Sequence, residues 1–66
     1  MNADRAEVSW DSDKNKWLVR IIVGEAVIRR YSNEPHGADK GALAASAVKT
    51  AADEGYSIDP SNVSVT

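Results

Sequence analysis

A hairpin with large side chains on both of its faces constrains this sequence more than any other feature. Residues 16–23 and 26–32 are dense in β-branched and aromatic residues, which favour strands. Gly24-Glu25 between them fits a two-residue turn with glycine at its first central position. The single helix that the chain can form covers only one face of this hairpin. We therefore expect the other face to need a partner.

The turn also determines which residues of the two strands lie opposite one another. If Val23 pairs with Ala26, counting outward places Arg20 directly opposite Arg29, and such like-charge pairs are destabilising. We expect an acidic neighbour, an anion or a partner to compensate for this pair. A register shift of one residue would exchange the two faces. Face one, toward the helix, is predicted to hold Trp17, Val19, Ile21, Val23 and Ile28, with Arg30 and Ser32 at its rim. Face two, on the opposite side, is predicted to hold Leu18, Arg20, Ile22, Val27, Arg29 and Tyr31.

Other patterns predict one strand before the hairpin, a helix after it and a final strand. Apolar and polar residues alternate over 7–11 and again over 62–66, which is typical of half-buried strands. Apolar residues recur at helical spacing over 38–54, and most of them are alanines that permit close approach to a sheet. The last strand joins the sheet beside either the first or the third strand.

These elements predict a single domain over residues 1–66. Its fold class is α+β, a small two-layer βββαβ domain with one amphipathic Ala-rich helix packed on a mainly antiparallel sheet. The expected parts are a flexible tail over 1–6, a three-stranded meander over 7–32, a helix over 38–54 and a terminal strand over 62–66.

The composition lowers the expectation of several function classes. Ten acidic residues against eight basic ones give a net charge of −2, whereas nucleic-acid-binding domains usually carry a basic excess. The chain has no cysteine and one histidine, His36, and no catalytic or metal-binding motif is present. We therefore predict no enzymatic activity, no metal and no cofactor. The first residues do not resemble a secretory signal, so we expect a cytoplasmic protein without membrane association.

The two tryptophans fit either a protein core or a platform for nucleic-acid bases. Trp17 shares a face with Val19, Ile21 and Ile28, so a core position is the favoured prediction. For Trp10 both interpretations stay open, because aromatic residues on a sheet also stack on bases.

Two tryptophan-containing segments and an alanine-rich helix resemble a known family. The segments are V-S-W-D at 8–11 and N-K-W-L-V-R-I at 15–21, followed by alanines at 42, 44, 45 and 47. Over about residues 7–52 the chain resembles the ethylene-response-factor (APETALA-type) DNA-binding domain and its bacterial integrase and homing-endonuclease relatives. That resemblance implies a three-stranded sheet laid into the DNA major groove with a helix behind it. The chain also resembles small uncharacterised bacterial strand-strand-helix-strand domains, which implies no activity.

Face two is the predicted functional surface. An apolar patch that carries tyrosine and arginine has the composition of an interface centre. We therefore predict a non-enzymatic interaction module that contacts another protein or a second copy of itself as a homodimer. A third interpretation is that the amino-terminal tail covers face two and nothing binds there. The alternative function is nucleic-acid binding by the same face, with contacts from Lys14, Lys16, Arg20, Arg29 and Arg30.

Overall fold

The computed structural model describes residues 1–66 and shows a four-stranded sheet with one helix packed on it. The sheet order is β3-β2-β1-β4; β1, β2 and β3 form an antiparallel meander, and β4 runs parallel to β1. The predicted α+β fold of βββαβ order is confirmed. The elements are β1 (Arg5–Asp11), β2 (Lys16–Val23), β3 (Ala26–Ser32), helix α1 (Lys40–Asp53), a single 3₁₀ turn (Pro60–Asn62) and β4 (Val63–Val65).

The core lies between face one and α1. Val8, Val19 and Ile21 of the sheet are fully buried, and Leu43 of the helix is buried against them. The helix also contributes Ala47 and Ala51, both with no exposed surface. These alanines recur at four-residue spacing, so they line one side of α1 and let its backbone approach the large side chains of the sheet. The predicted assignment of face one is confirmed.

The bounds of α1 follow from its caps. The carboxylate of Asp39 accepts a hydrogen bond from the Ala42 backbone N–H at 2.7 Å, so the helix begins at Lys40 and not at the predicted residue 38. At its end, Gly55 has φ +90°, and the Tyr56 N–H donates to the Ala51 carbonyl at 2.8 Å. This glycine-dependent cap stops the helix at Asp53. With only 14 residues, α1 lacks the length and apolarity needed to cross a membrane.

The last strand joins the sheet at the outer edge of β1, which decides between the two predicted positions. Ala6 pairs with Val63, and Val8 pairs with Val65. These residues belong to the core or pack against it. The strand is shorter than predicted, because Pro60–Asn62 form the 3₁₀ turn that precedes it.

The structure differs from the predicted flexible tail over residues 1–6. The Ala3 N–H donates to the Ser57 carbonyl at 2.9 Å, and the Asp4 N–H donates to the Ile22 carbonyl at 2.8 Å. Ala3 and Ala6 are buried in the core, and β1 already begins at Arg5. The segment therefore continues the line of β1 and does not form a layer over face two.

The close approach of α1 to the sheet gives the first prediction. We expect Ala47→Leu to destabilise the fold by about 1–3 kcal/mol, because the enlarged side chain has no space between helix and sheet. Ala45→Leu on the exposed side of the same helix is the matched control, and we expect it to change stability by less than about 0.5 kcal/mol. Urea unfolding measures both values, and equal effects of the two substitutions would contradict this packing.

Candidate binding face

Face two is the side of the sheet opposite α1, and no helix or strand packs on it. The register of β2 and β3 brings all six predicted residues together in three cross-strand rows. Because the two-residue turn pairs Val23 with Ala26 as predicted, the register is confirmed. The rows are Leu18 with Tyr31, Arg20 with Arg29, and Ile22 with Val27.

The apolar residues of face two form a buried floor and an exposed rim. Ile22 is only 9% exposed, because Arg5 lies directly opposite on one neighbouring strand and Val27 on the other. Val27 is 45% exposed and Tyr31 is 46% exposed on the edge strand β3. These two are among only three large hydrophobic residues exposed in the whole chain, so the apolar surface is concentrated here.

Glu7 is the acidic neighbour expected beside the arginine pair. It lies directly opposite Arg20 on β1, and its Oε1 is 3.2 Å from the Arg20 Nη2. Its other oxygen, Oε2, is 3.8 Å from the Arg5 Nε. Glu7 therefore divides its charge between two arginines, both on face two.

Glu7 does not satisfy the whole arginine pair. The Arg20 Nε is buried and has no hydrogen-bond acceptor, which is uncommon for a buried donor. No carboxylate lies within 4.0 Å of the Arg29 guanidinium, although Arg29 is directly opposite Arg20. Arg20 shares its one carboxylate partner with Arg5, and Arg29 makes no ion pair.

Tyr31 reaches across β2 to the neighbouring strand. Its phenol O–H donates to the Asp11 Oδ2 at 3.1 Å, while the Asp11 Oδ1 accepts the backbone N–H groups of Asp13 and Lys14 at 3.0 and 3.3 Å. The hydrogen bond to Asp11 raises the pKa of Tyr31 above its usual 10.0, and burial and the Asp11 charge add to this rise. The phenol is thus held in place as a protonated donor.

The basic residues predicted to contact nucleic acid do not all come together. Arg20 and Arg29 share face two, where Lys16 is placed opposite Asp11, and Lys14 lies in the β1–β2 turn. Arg30 is on the face-one side, where its guanidinium pairs with Glu54 and also donates to the Arg29 carbonyl at 2.7 Å. Arg30 is therefore not available on the same surface as Lys16, Arg20 and Arg29.

An aromatic cluster at the end of face one was not predicted as a unit. The His36 ring stacks on Trp10 with ring centroids 4.1 Å apart, and Trp10 meets Trp17 edge to face at 5.4 Å. The Trp17 indole N–H donates to the Pro35 carbonyl at 2.8 Å, and Trp17 is 7% exposed, which confirms its core position. His36 covers one ring face of Trp10, so that face is not open to a base.

The structure has one depression, and it lies away from face two. It has a volume of about 400 Å³ and opens to solvent. Asp59 in its wall accepts hydrogen bonds from the Ser61 N–H and hydroxyl, and these lower the pKa of the Asp59 carboxyl. No group of three or more histidines or carboxylates is placed to hold a metal ion. The lining residues are Asn2, Ala3, Ser57, Ile58, Asp59 and Asn62.

Comparison of the chain with protein-family models, curated proteins and solved structures finds no match. The resemblance to the ethylene-response-factor type of domain therefore stays a prediction.

The position of Glu7 gives the second prediction. We expect Glu7→Gln to lower the free energy of unfolding by up to about 1 kcal/mol at low salt, because Arg20 then faces Arg29 without an anion beside it. The loss should shrink as added salt screens the repulsion. Glu25→Gln in the hairpin turn removes an acid without an ion pair and is the control. A loss independent of salt would contradict an electrostatic role.

The Tyr31–Asp11 hydrogen bond gives the third prediction. In a Tyr56→Phe background, the ultraviolet absorbance of tyrosinate should show Tyr31 ionising above pH 10.0, with a lower pKa after Asp11→Ala. Because the folded-state pKa is raised, the hydrogen bond stabilises the fold fully below pH 10.0, and this contribution is lost as the pH rises through the folded-state value. An unchanged Tyr31 pKa in Asp11→Ala would show that the contact does not persist in solution.

Proposed function

We propose that this protein is a non-enzymatic interaction module that binds another protein, or a second copy of itself, through face two. The observation that carries the proposal is the concentration of apolar surface on an uncovered sheet face, with Val27 and Tyr31 exposed beside Arg29. Contiguous exposed apolar surface with tyrosine and arginine is typical of protein interfaces. Met1 is the one other large hydrophobic residue that is exposed, so face two is the favoured contact surface.

The shape of face two also favours a macromolecular partner over a small molecule. Small-molecule sites are concave and bury most of the ligand. The only depression lies at the amino-terminal segment, and none of its lining residues belongs to face two. An open sheet face instead fits a partner that covers several rows of side chains.

Nucleic-acid binding by the same face is the alternative, and the charges support it less well. Arg20 is engaged by Glu7, and Arg30 is held by Glu54 on the other side of the sheet. Glu7 and Asp11 both place carboxylates on face two and offset half of its four basic charges, whereas binding to a phosphate backbone draws on a larger basic excess. Arg29 and Lys16 are then the only bases on face two without an ion pair.

Site-specific crosslinking in the protein's own cells tests the proposal. A photoreactive benzoylphenylalanine in place of Val27 should capture a discrete protein on illumination, because this position is exposed at the rim of face two. The same residue in place of Ala45, on the exposed side of α1, is the matched control. Capture from position 27 alone supports the proposal.

The other products of this experiment separate the remaining functions. A product of twice the chain mass, also obtained with purified protein, identifies a second copy as the partner. Capture of nucleic acid from position 27 supports the alternative function instead. No product, or equal products from both positions, overturns face two as the contact surface.

A further inference from the structure

We propose that Arg20 and Arg29 together bind a carboxylate of the partner, so that face two recognises an acidic residue flanked by apolar ones. This inference rests on the proposed function and names the chemistry of the partner. Its starting point is the direct cross-strand pairing of the two arginines, which is unfavourable in the free protein.

The register places the two arginines in one cross-strand row. Counting from the hydrogen-bonded pair at the turn, Val23 with Ala26, the Arg20–Arg29 row is a non-hydrogen-bonded pair of the antiparallel ladder. Side chains approach most closely in such pairs, with Cβ atoms roughly 4.5–5.5 Å apart. A carboxylate above this row can accept hydrogen bonds from both guanidinium groups, and charge-assisted bonds of this kind are the strong ones.

The hydrogen bonding inside the protein leaves room for that ligand. Glu7 engages only the Nη2 of Arg20 and is shared with Arg5. The Arg29 side chain makes no ion pair and no hydrogen bond. One further anion would supply the counter-charge that Arg29 lacks.

The charge distribution favours an acidic partner over a second copy docked face to face. The strand residues of face two carry a net charge of +2, whereas the whole chain carries −2, so the rest of the chain carries −4. Two such faces would repel each other, and an acidic surface would be attracted. The charged residues of face two are the basic Arg5, Lys16, Arg20 and Arg29 and the acidic Glu7 and Asp11.

The flanking rows define what surrounds the carboxylate in the partner. Ile22 and Val27 lie on one side of the arginine row, and Leu18 and Tyr31 lie on the other. Each row is two residues along the strand from the next, which is roughly 7 Å. In an extended segment of the partner, every second side chain lies on the same face at this same spacing. Such a segment, aligned with β3, would place an apolar side chain on each outer row and an acidic side chain on the arginine row.

Peptide titration of the isotope-labelled protein by NMR tests this inference. The probe is a short peptide with the central sequence leucine, threonine, glutamate, threonine, leucine. The control peptide is identical except that glutamine replaces glutamate. We expect the glutamate peptide to shift the resonances of face two and to bind about five- to tenfold more tightly than the glutamine peptide.

Variants of Arg29 assign the difference to the arginine pair. In Arg29→Gln the two peptides should bind nearly equally, whereas Lys49→Gln on α1 should keep the full preference for glutamate. Arg29 is exposed, and its side chain makes no ion pair and no hydrogen bond. Its replacement should therefore leave the circular dichroism spectrum unchanged.

The outcomes distinguish this inference from the proposed function. Equal binding of both peptides to face two, or a preference that survives Arg29→Gln, overturns the carboxylate site and leaves an apolar protein-binding face. Failure of both peptides to shift face two overturns the inference, and position 27 crosslinking then decides whether the face binds protein at all. If a single-stranded oligonucleotide shifts the resonances of face two and the peptides do not, the two arginines bind phosphate groups and the inference is wrong.

Discussion

The register of the β2–β3 hairpin is the constraint on which the rest of the structure depends. Gly24 adopts φ +60° at the first position of the turn, a conformation that glycine reaches without steric cost. This turn pairs Val23 with Ala26 and thereby sends Val19 and Ile21 to face one. A shift of one residue would place both of them on the open side and the arginines beneath the helix. The core and the candidate binding face are thus two consequences of one turn.

Alternation and turn chemistry made the hairpin, its faces and the helix predictable, because these depend on residues close in sequence. The amino-terminal segment was missed since Ala3 and Ala6 are too small to give a clear alternating pattern, yet both are buried. The place of β4 was open because either edge of the meander offers the same unpaired backbone groups. The position of β4 depends on contacts between residues far apart in the sequence, such as Val65 with Val8.

The sequence predicted which hairpin residues share face two, but it did not predict the acidic residues that lie beside them. All six residues of face two lie where alternation placed them, but β1 adds Glu7 and Asp11 to the same face. The signal was available, because Glu7 alternates with the buried Val8 and must point the other way. The pairing of Arg30 with Glu54 carried no such signal, since it joins a strand to the residue that follows α1, 24 positions away in the sequence.

Face two shows how a small domain can keep an unfavourable interaction without losing its fold. The Arg20–Arg29 pair lies on the uncovered side of the sheet, where solvent and the long arginine side chains soften the repulsion. The same pair on face one would bury two charges beneath α1, at a cost that a domain of 66 residues could not offset. Glu7 removes part of the repulsion, and the proposed partner carboxylate would relieve what remains. A partner carboxylate would therefore stabilise the folded domain as well as the complex, because any ligand that binds only the folded state shifts the folding equilibrium toward it.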